Sequence, residues 1–225
     1  MATVVRAVAV TLAVGALSVW VGACKKPKTW GEPEVDRGLV EVDSAHQHLR
    51  SDVIGQGEFE SRATFVLVDA RNSHDEDLLV TLGGELVDGN GAVVGTLRPE
   101  SLRVPAGLKR TFALIDDQNA ERPGATSARV QVNGANVPSY APSIGVDEIH
   151  VYEEGDHLLA SARIANKAER PAKVIVLSSF RDEKGMPITR PFMLIELDGG
   201  TSRPVDFRGP PGATSATIFV GDTVW

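Results

Sequence analysis

Cysteine is almost absent from this chain. Its 225 residues include one, Cys24, so no internal disulfide can staple the fold. Aromatic residues make up only 5%, too few for the two interfacial girdles of a transmembrane β-barrel. No long apolar run follows Ala23, which excludes a polytopic helical membrane protein. Positive charge is not in excess either. Asp and Glu number 30 against 23 Lys and Arg, a net charge of −7, and this balance offers a polyanion no electrostatic footprint. Catalytic signatures are missing as well: no G-x-S-x-G, P-loop, H-E-x-x-H, C-x-x-C or dinucleotide fingerprint occurs. The expectation is therefore a chain that is not an enzyme and takes no nucleic-acid partner.

What is present begins at the N-terminus. Residues 1–23 carry a single cation, Arg6, followed by an uncharged run from Ala7 to Ala23, the pattern of a secretory signal. An uncleaved anchor is the competing reading, since the run is close to the shortest that spans a bilayer. It closes as Val21-Gly22-Ala23-Cys24, an aliphatic residue, two small ones and the lone cysteine. This closing tetrad resembles the lipobox of bacterial lipoproteins. The resemblance implies a signal helix removed before Cys24, a diacylglyceryl group on the Cys24 sulfur and an acyl group such as palmitate on the new first residue. Each buried methylene adds about 0.8 kcal/mol, so two or three chains anchor stably where one does not. Apart from these covalent groups, no cofactor is expected. Residues 24–37 then read as lipidated cysteine and tether, rich in Pro, Gly and charge. Within it, Lys25-Lys26-Pro27-Lys28 serves either as a solvated spacer or as a contact to anionic headgroups. Lys25, rather than Asp, after the cysteine favours the outer membrane over the inner under the sorting rule that the resemblance brings.

Beyond the tether, short stretches alternate apolar and polar residues between Gly, Pro, Asn and Asp clusters, as in Phe65-Val66-Leu67-Val68 and Ala128-Arg129-Val130-Gln131-Val132. That is the pattern of antiparallel strands with one buried face. An internal repeat organises them. Pro123-Gly124-Ala125-Thr126-Ser127-Ala128 recurs letter for letter as Pro211-Gly212-Ala213-Thr214-Ser215-Ala216, 88 residues on. Upstream, Asn72 matches Asn166, Val80 matches Val174, Asp88 matches Asp182 and Gly91 matches Gly185 at a spacing of 94. Gly107 and Arg110 match Gly200 and Arg203 at 93, which assigns the first copy about five extra residues near Asp116 to Glu121. The expected fold is all-β: two tandem immunoglobulin-like β-sandwiches, 38–137 and 143–225, joined by a hinge at 138–142. Strands that end Glu85-Leu86-Val87-Asp88 and Ser179-Phe180-Arg181-Asp182 before a turn glycine are similar to the FxLYD-type and related Ig-like modules of bacterial envelope proteins, although the motif's leading aromatic and tyrosine are absent here.

Candidate chemistry is sparse. His46 and His48 stand two apart, a spacing that on a strand sets both rings on one face, with Asp43 nearby as a third ligand for a divalent metal. The plainer reading is a polar loop, and no metal is expected. Asp88-Gly89-Asn90-Gly91 opens like a calcium loop but lacks the downstream acid, so a hairpin turn is expected. Asp75-Glu76-Asp77 and Asp116-Asp117 read as solvated acidic loop tips, and His150 and His157 as hairpin residues. Trp225 is expected to pack on the edge of the second sandwich. The function expected is that of a lipid-anchored envelope protein whose modules recognise a protein partner or act as scaffold. Its candidate contact surfaces are the Asp75 to Asp77 loop and the 46–61 segment. The alternative is a lipoprotein that binds a metal or small ligand.

Overall fold

In the computed structural model, which describes residues 33–55 and 60–224, the chain is built almost entirely of antiparallel strands. The first set is β1 (Val40–Val42), β2 (His48–Ile54), β3 (Ser61–Asn72), β4 (Leu78–Val87), β5 (Val93–Val104), β6 (Lys109–Ile115) and β7 (Ser127–Asn136). The second is β8 (Ile144–Glu154), β9 (His157–Asn166), β10 (Ala172–Arg181), β11 (Pro187–Thr189), β12 (Phe192–Leu197), β13 (Ser202–Arg208) and β14 (Ser215–Val224). In the first set β3 is central to one sheet, with β1 and β2 on one side and β6 on the other, and β4 is central to the facing sheet between β5 and β7. The second set repeats this order: β9 lies between β8 and β13, and β10 lies between the β11/β12 pair and β14. Each set is a β-sandwich, and the sequence repeat is a repeat of topology.

Alternation drives the packing. Val66, Val68, Phe112 and Leu114 point from one sheet of the first sandwich onto Leu78 and Val80 of the other. In the second, Ala160, Ile164 and Phe207 meet Val174, Phe180 and Ile195. The repeated polar residues close the same corners in both. Asn72 Nδ2 donates to the carbonyls of Glu76 and Val104, and its Oδ1 accepts from His74 N. Asn166 does the same with Arg170, Leu197 and Ala168. Asp88 Oδ1 accepts from the N–H groups of Asn90 and Ala92, each at 2.9 Å, and Asp182 Oδ1 from Lys184 and Met186 at 3.0 and 2.9 Å. Gly91 and Gly185 complete these turns at φ 81° and 78°, a left-handed conformation that a side chain disfavours. The Asp88 loop is thus a turn, as its residues suggest.

Two stretches differ from the sequence expectation. The polar segment around His48 forms a strand, β2, whose few apolar residues reflect its half-exposed face rather than a loop. Asp116, read as a solvated tip, is fully buried. Its Oδ1 accepts from Gln118 N and Ala120 N, and its Oδ2 from Arg122 Nε at 2.8 Å, so it ties down the inserted residues from within.

The two sandwiches share a buried contact. In β3, Phe65, Leu67 and Asp69 face away from the first core, and in β10, Leu177, Ser179 and Arg181 face away from the second, yet all six are buried. Arg181 Nε and Nη2 donate to the two oxygens of Asp69, both at 2.9 Å, with the side chains 5% and 4% exposed. Thr111 Oγ1 donates to Asp69 and accepts from Arg181 Nη2, while Ser179 Oγ lies 2.6 Å from it. Lys109 Nζ reaches the same carboxylate at 3.0 Å. Beside this network, Leu177 and Phe219 join the first sandwich's core, and Arg110 stacks on the Phe219 ring at 4.9 Å. Arg190 binds Glu100 at 2.7 Å and donates to the Thr111 carbonyl, and Glu100 accepts from Ala113 N at 2.7 Å. This ion pair therefore occupies the outer edge of β6, where another strand would otherwise pair. The segment 138–142, expected as a hinge, runs without regular structure next to these contacts and is pinned through the Tyr140 carbonyl, which accepts from Arg103 Nη1 at 3.0 Å.

Burial pushes the Asp69 carboxyl upward, but the Arg181 guanidinium, the Thr111 hydroxyl and Lys109 outweigh it and hold the group below its usual range. A carboxyl lowered in the folded state contributes stability above its unfolded pKa of about 3.9 and loses it as pH falls through the folded value. Asp69→Asn leaves Arg181 charged and buried, and we expect it to cost about 3–5 kcal/mol in urea unfolding at neutral pH. The difference from wild type is expected to shrink below about pH 4. The paired replacement Asp69→Leu with Arg181→Met is expected to be far milder than either single change, because no buried charge is stranded.

Candidate functional site

The residues singled out as metal ligands separate. Asp43 precedes the short 3-10 turn Ser44–His46, and His46 Nδ1 lies 2.9 and 3.0 Å from its two oxygens. His46 is therefore in a turn, and the two-residue spacing does not place its ring on a strand face with that of His48. His48 opens β2 opposite Leu67, with its Nδ1 buried and unpartnered. Burial and then the Arg50 charge lower its pKa, against the opposing effects of a hydrogen bond to the Pro187 backbone and of Asp182. Its surroundings belong to the contact with β11, where Arg50 Nη1 also donates to the Ile188 carbonyl at 3.1 Å. Among the described residues no group of three or more His, Cys, Asp or Glu side chains converges as metal ligands. Cys24 and Trp225 lie outside the described residues.

The acidic groups with altered titration are held charged. Asp116 is pushed up by burial but pulled further down by Arg122 and by the N–H groups of Ala120 and Gln118. Asp69 behaves likewise. Carboxylates locked to guanidinium partners serve ion pairing; a general acid at neutral pH needs the opposite shift. The Asp75 to Asp77 loop, expected as a contact surface, is partly committed internally: Asp77 accepts from Arg103 Nε at 2.9 Å and from Ala106 N at 3.2 Å. Arg103, Tyr140, Ile144 and Val220 line an open groove of about 570 Å³ beside the linker. Its Tyr140 is 70% exposed. Of the 46–61 segment, the other expected surface, residues 56–59 lie outside the described residues, and the part in β2 faces β11, with Arg50 Nη1 donating to the Ile188 carbonyl.

The most exposed strand is β8. Among the described strands it pairs with β9 alone, and all its residues from Glu148 to Glu154 are exposed. Ile149, Val151 and Tyr152 stand among them at 49, 42 and 49% exposure, three large apolar side chains within four residues of one strand. The strand ends in a two-residue hairpin, Gly155-Asp156, closed by Glu154 against His157, with Gly155 at φ 64° supplying the primed turn. His157 Nδ1 donates to the Gly209 carbonyl at 2.8 Å, and His150 lies on β8 opposite Ser161, so both fall in the hairpin as expected. Sequence alternation marks strands here, but the exposure of β8 depends on which elements pack against it, which leaves no local mark.

No protein-family model matches the chain, and no curated protein matches it. Similar solved structures include a DUF1425 family member from Shewanella sp. pv-4, with 16% identity and a TM-score of 0.34 over 36% of this chain and 80% of that one. Red sea bream transglutaminase is similar at 11% identity and a TM-score of 0.28, over 78% of this chain and 29% of that one. The present chain thus spans less than a third of the transglutaminase's length.

The His48 environment is open to direct measurement. A histidine with a lowered folded pKa favours the neutral ring, so its contribution to stability is present above the unfolded value of about 6.5 and is lost as pH falls through the folded one. In a proton NMR titration His48 is expected to titrate below about pH 6.5, and Arg50→Gln to raise its midpoint. A His48 midpoint at or above the ordinary value would contradict this account of its surroundings.

Proposed function

We propose that this chain is a lipid-anchored, non-enzymatic protein of the bacterial envelope, whose paired β-sandwiches recognise a protein partner or serve as scaffold. The observation that carries the reading is the locked pair of sandwiches: the buried Asp69–Arg181 network commits charged groups to holding two modules as one body, while the outer edge of β8 is paired with no other described strand. A body of this kind presents a fixed surface, which reduces the ordering cost of binding. Exposed strand edges are a common means of peptide recognition.

The anchor rests on the Val21-Gly22-Ala23-Cys24 tetrad and the uncharged run before it. Attachment through Cys24, on the periplasmic or surface face of the outer membrane, sets the sandwiches at a tether's length from the bilayer. The carboxylate–guanidinium pairs of the fold are used for cohesion in this reading, and no reaction is assigned to them.

Feeding cells an alkyne-tagged palmitate and fractionating them tests the anchor. The wild-type chain is expected to take up label and sediment with membranes, and Cys24→Ala to lose the label. Full labelling of the Cys24→Ala variant would refute lipidation at this residue.

A further inference from the structure

We propose that the free edge of β8 takes an extended polypeptide segment with an apolar centre and lysines or arginines at its ends, added as a further antiparallel strand. The proposal deepens the recognition reading above and rests on it. In a hairpin closed by Glu154 and His157, the ladder alternates, so Val151 and Glu153 form the wide pairs opposite Ala160 and Leu158. Their N–H and C=O groups point away from β9. No other described strand pairs with β8, so these donors and acceptors form a template for a new strand.

Side chains specify what pairs there. Ile149, Val151 and Tyr152 are the exposed apolar centre of the edge. Asp147 and Glu148 lie on one side of it and Glu153, Glu154 and Asp156 on the other, with Arg163, which binds Glu148 at 2.8 Å, and Lys167, beside Gly145, as nearby cations. A second copy of the chain is a poor occupant. An antiparallel self-pairing centred on Val151 sets Glu148 against Glu154 in both halves, and like charges directly opposite destabilise a strand pair. The same acids attract a segment with basic ends. The irregularity at Glu148, where φ is 52° and the register shifts, limits the edge to the stretch that follows and so fixes where an added strand begins.

The test uses the full chain purified in detergent micelles and two fluorescein-labelled peptides of about nine residues, a strand's length. Each has alternating valine and threonine at its centre; one has paired lysines at both ends and the other paired glutamates. The lysine peptide is expected to bind with a Kd of about 10–100 μM by anisotropy and the glutamate peptide not to bind in that range. Val151→Pro removes an outward N–H while leaving the ladder to β9 intact, so it is expected to weaken binding about tenfold or more with the thermal midpoint held. The double change Glu153→Lys with Glu154→Lys, at two exposed positions, is expected to reverse the preference between the peptides. Binding of neither peptide, equal binding of both, or wild-type binding by the two variants would overturn the proposal. So would a concentration-dependent dimer abolished by Val151→Pro, which assigns the edge to a second copy. An envelope protein that cross-links equally to wild type and to Val151→Pro would sink the edge proposal while leaving the recognition reading standing.

Discussion

The bidentate pair between Asp69 and Arg181 sets the arrangement of this molecule. Each side chain is almost wholly removed from water, so each needs the other, and the two sit on different sandwiches. A charge stranded in such a place costs several kcal/mol, so any packing of the two faces that buries one partner without the other is unfavourable, and the pair fixes how the faces are laid together. Thr111 and Lys109 bond the pair directly, Ser179 bonds Thr111 in turn, and Leu177 and Phe219 are buried beside them. The outward faces of β3 and β10 are therefore internal, and two modules that share one topology present different faces to one another.

The repeat makes this asymmetry readable. Both copies keep the Asn that closes the corner, the Asp turn and the turn glycines, because each satisfies backbone groups that every sandwich of this topology must satisfy. They differ where they meet. Asp69 corresponds to Arg163 and Arg181 to Val87 at the repeat spacing of 94, so neither member of the buried pair has a like residue in the other copy. Arg163 is instead exposed beside Glu148. Because neither copy carries both members of the pair, the contact between these unlike faces is made once and is not repeated from module to module.

Edges are managed in the same spirit. The outer edge of β6 is occupied by Glu100 and Arg190, which supply an acceptor and a donor where a strand would otherwise pair. Residues ahead of β1 add a bridge to β7, with Val35 N donating to the Ala135 carbonyl and Glu34 opposite Asn136. The edge of β8 is treated differently: acids and an irregular step at Glu148 guard its ends, and apolar residues stay exposed between them. Charge of one sign discourages pairing with an identical strand and is compatible with pairing to an opposite one.

Strand alternation, turn chemistry and duplication are local or periodic properties, so the all-β class, the two tandem copies and the roles of Asn72, Asn166, Asp88 and Asp182 could be read from the order of residues. The extra residues of the first copy were also placed correctly, because a change in repeat spacing records an insertion directly. The strand at His48–Ile54 was not legible, since its partly exposed surface weakens the alternation on which such reading depends. Nor was the burial of Asp116, which a following arginine six residues away and two backbone N–H groups make possible only once the loop has closed. The same limit governs His46 and His48, whose spacing suggested a shared face until a turn claimed one ring and a strand the other. Most of all, Asp69 and Arg181 are 112 residues apart and match no motif. Their meeting depends on which faces of the two sandwiches are laid together, and that is set by the whole three-dimensional surface rather than by any run of neighbours along the chain.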